Sequence, residues 1–183
     1  GIQAAGATEL AVHARTRRQG YRPPAHWEAI ARAREILQIP VIANGEIWNV
    51  DDALRCREVS GCSDLMLGRG ALCRPDLPRV IRSALQVDSA VDTVEPLAWG
   101  AVIPLLLAYF DLNLAAYEAR FVGNPIKQWL AYLRRHYWQA ALLFERIKRL
   151  HQPDAIRAEL LVELHGLHAD KDTATGYLAS QGG

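Results

Sequence analysis

The chain has 183 residues, and its 21 Lys and Arg against 20 Asp and Glu give a formal net charge of +1. Half of its residues are hydrophobic, which is enough to build a core and excludes a chain that is disordered overall. The near-neutral total selects no class of partner, because a nucleic-acid surface would have to come from local clustering of Lys and Arg.

The cysteines and the apolar stretches argue against a metal site and a membrane. Cys56, Cys62 and Cys73 are an odd number with no Cys-x-x-Cys spacing, which is untypical of zinc sites and disulfide frameworks and favours a reducing cytoplasm. No signal-peptide pattern is present. Residues 101–110 are apolar but too short to cross a bilayer, and they contain Pro104. We therefore expect a soluble, cytoplasmic protein without a metal.

The first half alternates short apolar runs with amphipathic ones. Residues 1–7 resemble the end of a helix capped by Gly6, so we expect the sequence to begin within a fold. Strands that are apolar on both faces and alternate with helices predict a parallel sheet, either doubly wound or part of a (β/α)8 barrel. The predicted strands are residues 10–13, 39–43 and 65–67, and the predicted helices are residues 26–37 and 50–59.

Function in both of these folds lies at the carboxyl ends of the strands, and here all three ends are polar. They carry His13-Ala14-Arg15-Thr16, Asn44-Gly45-Glu46 and Gly68-Arg69-Gly70. A glycine beside Arg69 allows close backbone approach and a charge-assisted contact, which suits a phosphate. Glycine at a strand end is also common in turns that bind no ligand. Two adjacent strands with this pattern favour phosphate binding.

Two further side chains at this edge have alternative interpretations. His13 is either part of a solvated loop or a contact to a cofactor bound at the same edge. Glu46 could act as an acid or base, although a place at a helix start or a hydrogen bond to a ligand hydroxyl is the favoured use.

The second half is predicted to be helical. Residues 126–137 and 139–150 have helical apolar stripes, and Asp154 is expected to cap a third helix. Between Arg120 and Arg149 the only acidic residue is Glu145. This bias indicates either a solvated helix face or a surface for a nucleic-acid backbone. The basic residues of this stretch are Arg120, Lys127, Arg134, Arg135, Arg146, Lys148 and Arg149.

Three segments resemble the flavin-dependent tRNA-dihydrouridine synthases in order and spacing. They read Glu-Leu-Ala-Val-His-Ala-Arg-Thr at 9–16, Ile-Pro-Val-Ile-Ala-Asn-Gly-Glu-Ile at 39–47 and Met-Leu-Gly-Arg-Gly-Ala-Leu at 66–72. Residues 126–134, Ile-Lys-Gln-Trp-Leu-Ala-Tyr-Leu-Arg, resemble the subgroup called synthase C, which acts on position 16 in the D-loop. The resemblance is strong over residues 1–86.

The resemblance implies an α/β fold: the C-terminal part of an FMN-binding (β/α)8 TIM barrel at 1–86, an all-α tRNA-binding domain at 87–168 and a flexible tail at 169–183. It implies uridine reduction in tRNA with NADPH as electron donor, by a full-length enzyme that is monomeric. The implied FMN residues are His13, near the isoalloxazine ring, and Asn44, Gly45, Glu46, Gly68 and Arg69 at the ribityl chain and phosphate. The implied tRNA contacts are Lys127, Gln128, Arg134, Arg135 and Lys148.

One family feature has no counterpart here. The family's catalytic acid is a cysteine in an Asn-x-x-Cys-Pro context, and no cysteine of this chain precedes a proline. The resemblance thus places that cysteine upstream, with an inactive chain here that self-associates through open strand edges. Two alternatives remain: an RNA-binding helical module with a vestigial half-barrel, and an FMN barrel oxidoreductase of small substrates.

Overall fold

The computed structural model describes residues 1–20, 22–85 and 94–180, with side chains as far as residue 166. It divides into two compact units, Gly1–Pro96 and Leu97–Gly183. A short parallel sheet together with many helices confirms the α/β class. The domain boundary expected at residues 86 and 87 lies outside the described residues.

The first unit contains the sheet. Its strands β1, β2 and β3 are parallel and lie in the order β1-β2-β3. Both outer edges of this sheet lack a partner strand within the described residues. The elements of the unit are β1 Leu10–His13, α1 Trp27–Ile36, β2 Val41–Asn44, α2 Val50–Ser60, β3 Asp64–Met66, α3 Arg69–Cys73 and α4 Leu77–Leu85.

The predicted elements of this unit are confirmed to within two residues at each end. Their signals are local: Asn49 caps α2 by accepting a hydrogen bond from the Asp52 amide at 2.8 Å. Gly61 ends α2 with a φ of 66°, a left-handed conformation that favours glycine. The expected helix end at Gly6 is a short 3₁₀ turn over Gln3–Ala5, with Gly6 at a φ of 91°.

Helices α1, α2 and α4 pack their apolar faces with the sheet into one core. The central strand β2 supplies Val41 and Ala43, which are nearly or fully buried. Other core residues are Ile30, Ile47, Ala53, Cys56, Cys62, Leu77 and Ile81. This packing holds the three strands in place. Polar residues follow the carboxyl end of each strand.

From Trp99 onward, the described residues of the second unit form helices and the turns between them. Helices α5 Trp99–Ala116, α6 Gly123–Leu133, α7 Trp138–Ile147 and α8 Pro153–Ser180 follow one another, with a 3₁₀ turn at Ala119–Phe121. Apolar residues of all four helices form one core. Its fully buried members include Ile103, Leu106, Phe110, Ile126, Leu130, Leu133, Leu143, Ile147, Ile156 and Leu160.

Three expectations for the helices were wrong in detail. Helix α6 ends at Leu133, because the chain turns over 134–136 and places the Tyr137 hydroxyl 2.9 Å from the Leu97 carbonyl oxygen, to which it donates. Helix α8 begins at Pro153, so Asp154 lies in the first turn and is not the cap. Helix α7 ends at Ile147, where an end at residue 150 was expected. The backbone of α8 continues to Ser180, and the flexible tail expected at 169–183 stays a prediction. Residues 181–183 lie outside the described residues.

Helix α5 is longer than the apolar stretch read from the sequence. Trp99–Ala116 has 18 residues and a mean hydropathy of 1.5, so by length and composition alone it could cross a membrane. Pro104 lies within it. Its buried side, with Val102, Leu106 and Phe110, packs into the helical core. A core helix of a globular unit can have the same length and hydropathy as a membrane-spanning helix.

Candidate functional site

The sheet register brings the polar strand ends together. His13 of β1 lies opposite Asn44 of β2, and Asn44 lies opposite Met66 of β3. A cavity of about 390 Å³ opens beside them, within the usual size of small-molecule sites. Its lining includes every residue that the resemblance assigned to FMN: His13, Asn44, Gly45, Glu46, Gly68 and Arg69.

Hydrogen bonds across the sheet fix the His13 ring. The Asn44 Nδ2 donates to the Met66 carbonyl oxygen at 2.6 Å, so the Asn44 Oδ1 is the atom that faces His13. The His13 Nδ1 lies 2.5 Å from that oxygen and must therefore carry the proton that it donates. In a neutral imidazole this leaves Nε2 as an acceptor. The His13 side chain is exposed and available to a ligand.

The turn after β2 has a strained backbone held from several sides. Gly45 has a φ of 127°, and a Cβ there would lie 3.2 Å from the Ala14 Cβ. Its carbonyl oxygen accepts a 2.9 Å hydrogen bond from the Trp27 Nε1. Glu46 has a φ of 54° and is the one non-glycine residue with positive φ within the described ranges. Such a conformation persists only where neighbours enforce it.

The Glu46 carboxylate contacts three neighbouring side chains. Its Oε1 lies 2.8 Å from the Arg15 Nη2 and 3.0 Å from the Arg69 Nη2, and its Oε2 accepts from the Trp48 Nε1 at 3.0 Å. Partial burial alone would raise the pKa of Glu46, but the Trp48 hydrogen bond and the two guanidinium groups outweigh it and lower that pKa. Glu46 is thus ionised at neutral pH and is unsuited to donate a proton.

Arg69 is the more accessible of the two arginines. Its side chain is 30% exposed, lines the cavity and lies over the Trp48 ring with its Cζ 5.0 Å from the ring centroid. The next residue, Gly70, packs directly against the backbone of Ile47. Only glycine fits there, because a Cβ would lie 2.1 Å from the Ile47 carbonyl oxygen. A guanidinium with one exposed side next to a cavity can bind an anion.

Arg15 is the functional candidate that the sequence analysis treated only as a neighbour of His13. Its side chain is fully buried, its Nε donates to the Pro24 carbonyl oxygen at 3.2 Å, and Nη1 and Nη2 have no hydrogen bond of good geometry among the described residues. The sequence around Arg15 carries no signal of this burial, because its partner Glu46 lies far away along the chain.

The five residues assigned to tRNA lie on α6 and in the turns that follow α6 and α7. Lys127 donates from Nζ to the Leu150 carbonyl oxygen at 2.6 Å and so joins α6 to the segment between α7 and α8. Lys148 pairs with Glu145. Arg134 lies over the Phe144 ring at 5.5 Å, and Gln128, Arg134 and Arg135 are exposed.

The positive bias of this stretch is smaller in the structure than in the sequence. Arg146 pairs with Glu159 at 2.9 Å and with Glu163, two acids that α8 supplies from beyond the basic stretch. Burial alone would lower the pKa of Arg146, but these two carboxylates outweigh it and raise that pKa. Tertiary pairing therefore neutralises charge that the local count left unpaired.

No cysteine in the described residues is suited to proton transfer at the cavity. All three are buried and none lines the cavity. Burial, with smaller contributions from Cys62 and Asp52, raises the pKa of Cys56 to about 11. In the same part of the chain no group of three or more His, Cys, Asp and Glu is placed to hold a metal ion.

Several known proteins are similar to this chain in sequence. Residues 1–102 match the dihydrouridine synthase (Dus) family. A tRNA-dihydrouridine(16) synthase of Pseudomonas putida is 45% identical over 166 residues, which are 90% of this chain and 50% of that protein. One of Shewanella oneidensis is 44% identical over 147 residues, 80% of this chain and 44% of that protein. One of Escherichia coli K12 is 42% identical over 169 residues, 91% of this chain and 50% of that protein.

The chain spans about half the length of these curated relatives. The family match alone covers more than half of the chain and includes all three strand ends that line the cavity. The chain therefore belongs to the dihydrouridine synthase family.

Proposed function

We propose that the chain serves the flavin-dependent reduction of uridine to 5,6-dihydrouridine at position 16 of the tRNA D-loop. The observation that carries the proposal is the cavity at the ends of β1, β2 and β3, since six residues assigned from three separate segments all line it. In this proposal the three strands form part of a (β/α)8 barrel, the enzyme is a cytoplasmic monomer, and the helical unit binds tRNA.

The residues at the cavity fit FMN by charge and by donor type. Arg15, Arg69 and Glu46 together carry a net charge of +1, which suits a phosphate, and the partly exposed Arg69 lines the cavity. Arg69, Gly68 and the Asn44-Gly45 turn would hold the phosphate and ribityl chain, and His13 would lie near the ring. When bound and reduced by NADPH, FMN would supply a hydride to the uracil.

The protein's own groups would bind and orient. His13, fixed by Asn44, offers Nε2 to a ligand atom, while Glu46 stays ionised and holds the two arginines. The strained Gly45-Glu46 turn is held by hydrogen bonds from Trp27 and Trp48, and such preorganisation would lower the entropy lost on binding. We assign no proton-donating role to Cys56, Cys62 or Cys73, because all three are buried and none lines the cavity.

For tRNA we propose that Lys127, Gln128, Arg134, Arg135 and Lys148 contribute to the contact surface. Exposed Gln128, Arg134 and Arg135 lie close in sequence on α6 and the turn after it. Lys127 and Lys148 also have partners within the protein, so their contribution to RNA affinity should be smaller. Binding that depends on phosphate contacts weakens as salt rises.

The test is a map of dihydrouridine in tRNA from a strain that lacks the complete gene. We expect dihydrouridine to disappear from position 16 and to persist at other positions, and the complete gene to restore it. The gene carrying Arg69→Ala should restore it poorly. Unchanged dihydrouridine at position 16 would refute the proposed reaction, and tRNA binding without any flavin binding would favour an RNA-binding module.

A further inference from the structure

A cluster at the base of the cavity joins two arginines through one carboxylate. The Glu46 Oε1 lies within 3.0 Å of one terminal nitrogen from Arg15 and one from Arg69. The two guanidinium groups differ in environment: the Arg15 side chain is fully buried, whereas that of Arg69 is 30% exposed and lines the cavity. Only Arg69 is therefore placed to meet a ligand.

The charges of the cluster decide how strongly Arg69 attracts an anion. With both arginines present, one carboxylate is shared between two cations, and a net charge of +1 remains. Without Arg15, the carboxylate would pair with Arg69 alone and cancel its charge. Coulomb interactions over about 3 Å are strong where water is partly excluded, so this difference in charge should change the electrostatic potential in the cavity.

We propose that Arg15 is a positioning residue that acts through Glu46 to keep the Arg69 guanidinium available to the phosphate of the ligand. Arg15 holds one side of the carboxylate and is itself anchored by its hydrogen bond to the Pro24 carbonyl oxygen. The Trp48 Nε1 holds the other carboxylate oxygen, so Glu46 cannot turn fully toward Arg69. The inference rests on the proposed FMN function and names how its phosphate site is kept positive.

A purely structural role for Arg15 makes a different prediction. In that case its loss would lower stability and weaken all flavin binding alike, whether or not the flavin carries a phosphate. Phosphate-specific loss is the feature that distinguishes charge control through Glu46 from general damage.

The experiment compares FMN with riboflavin, which lacks the phosphate, by flavin fluorescence titration of the whole chain. The ratio of the two dissociation constants isolates the phosphate contribution. We expect Arg15→Met to reduce the FMN preference about tenfold, the size of one charge-assisted contact, while riboflavin binding stays the same. Arg15→Lys, which keeps the charge, should retain most of the preference.

The double variant Arg15→Met with Glu46→Gln is the decisive member of the series. It removes the Glu46 charge that opposes Arg69, so the FMN preference should recover relative to Arg15→Met. Glu46→Gln alone keeps the preference at or above the wild-type value, and this result stands even if Arg15→Met does not fold. An undiminished preference in Arg15→Met, or no recovery in the double variant, would overturn the inference.

The wild-type chain separates this inference from the proposed function. A wild-type preference for FMN supports the cofactor assignment whatever the variants do. A wild-type chain that binds FMN no better than riboflavin contradicts the phosphate site and overturns the inference with it.

Discussion

The two units use their basic residues in opposite ways. At the strand ends of the first unit, Arg15 and Arg69 share the one carboxylate of Glu46. In the second unit, Arg146 pairs with two carboxylates, and Lys127 and Lys148 each bind a partner on a neighbouring turn. In the first unit two cations thus share one acid, whereas in the second unit Arg146 is shared by two acids.

This difference limits what a local count of charges can say. The strand-end cluster draws its members from three segments of a nearly neutral chain, and the basic stretch of the second unit is partly neutralised by Glu159 and Glu163 of α8. Excess charge matters for function only where the fold leaves it without an opposing group.

The largest expected effect comes from filling the space beside Gly70. In Gly70→Ala the new Cβ would meet the Ile47 carbonyl oxygen at 2.1 Å, and backbone cannot move aside cheaply. We expect a loss of about 3 kcal/mol in unfolding free energy, measured by urea unfolding. The matched variant Gly123→Ala in the second unit meets the Ile156 Cδ1 at 2.5 Å, the end of a flexible side chain, and should cost less. Equal losses would show that the Gly70 contact is not rigid.

A smaller effect should follow from removing the Lys127 contact. Lys127→Met keeps the apolar stem but loses the hydrogen bond from Nζ to the Leu150 carbonyl oxygen, which should cost about 1 kcal/mol in unfolding free energy. The control is Gln128→Met at the neighbouring exposed position, which should leave stability nearly unchanged. Equal stability of both variants would mean that Lys127 is available to RNA.

The shared carboxylate predicts a pH dependence of the first unit. Because the pKa of Glu46 is lowered on folding, its stabilisation is complete above the ordinary value of 4.5 and is lost as the pH falls through the lower folded value. Urea unfolding midpoints should therefore fall more steeply on acidification in the wild type than in Glu46→Gln. Parallel acid profiles would show that the arginines do not hold this carboxylate.

The smallest effect concerns Cys56. Its raised pKa of about 11 and its burial keep the thiol protonated and shielded at pH 8. Iodoacetamide should modify Cys56 slowly in the folded chain and rapidly in urea, as followed by mass spectrometry. Rapid modification of the folded chain would contradict the packing of α2.

The sequence predicted those parts of the fold whose signals are local. The alternation of short apolar runs with amphipathic ones located β1 to β3, α1 and α2, and the glycines at their ends located the candidate site. The resemblance then assigned six residues to FMN, and all six line one cavity.

The rest depends on contacts between distant segments. Nothing near Arg15 in the sequence indicates that it is buried against Glu46, 31 positions away along the chain. The end of α6 at Leu133 depends likewise on the Tyr137 hydroxyl reaching the Leu97 carbonyl oxygen. Such contacts override local helix preference, so they appear only in the folded chain.

The central claim is that three strand ends form one flavin phosphate site, and a crystal structure with FMN bound tests it most directly. We predict that the phosphate lies within hydrogen-bonding distance of the Arg69 guanidinium, with the isoalloxazine ring on the side of His13. The account would be contradicted by FMN in the neighbouring cavity lined by Thr16, Gln19 and Arg32, or by a phosphate that Arg69 does not contact.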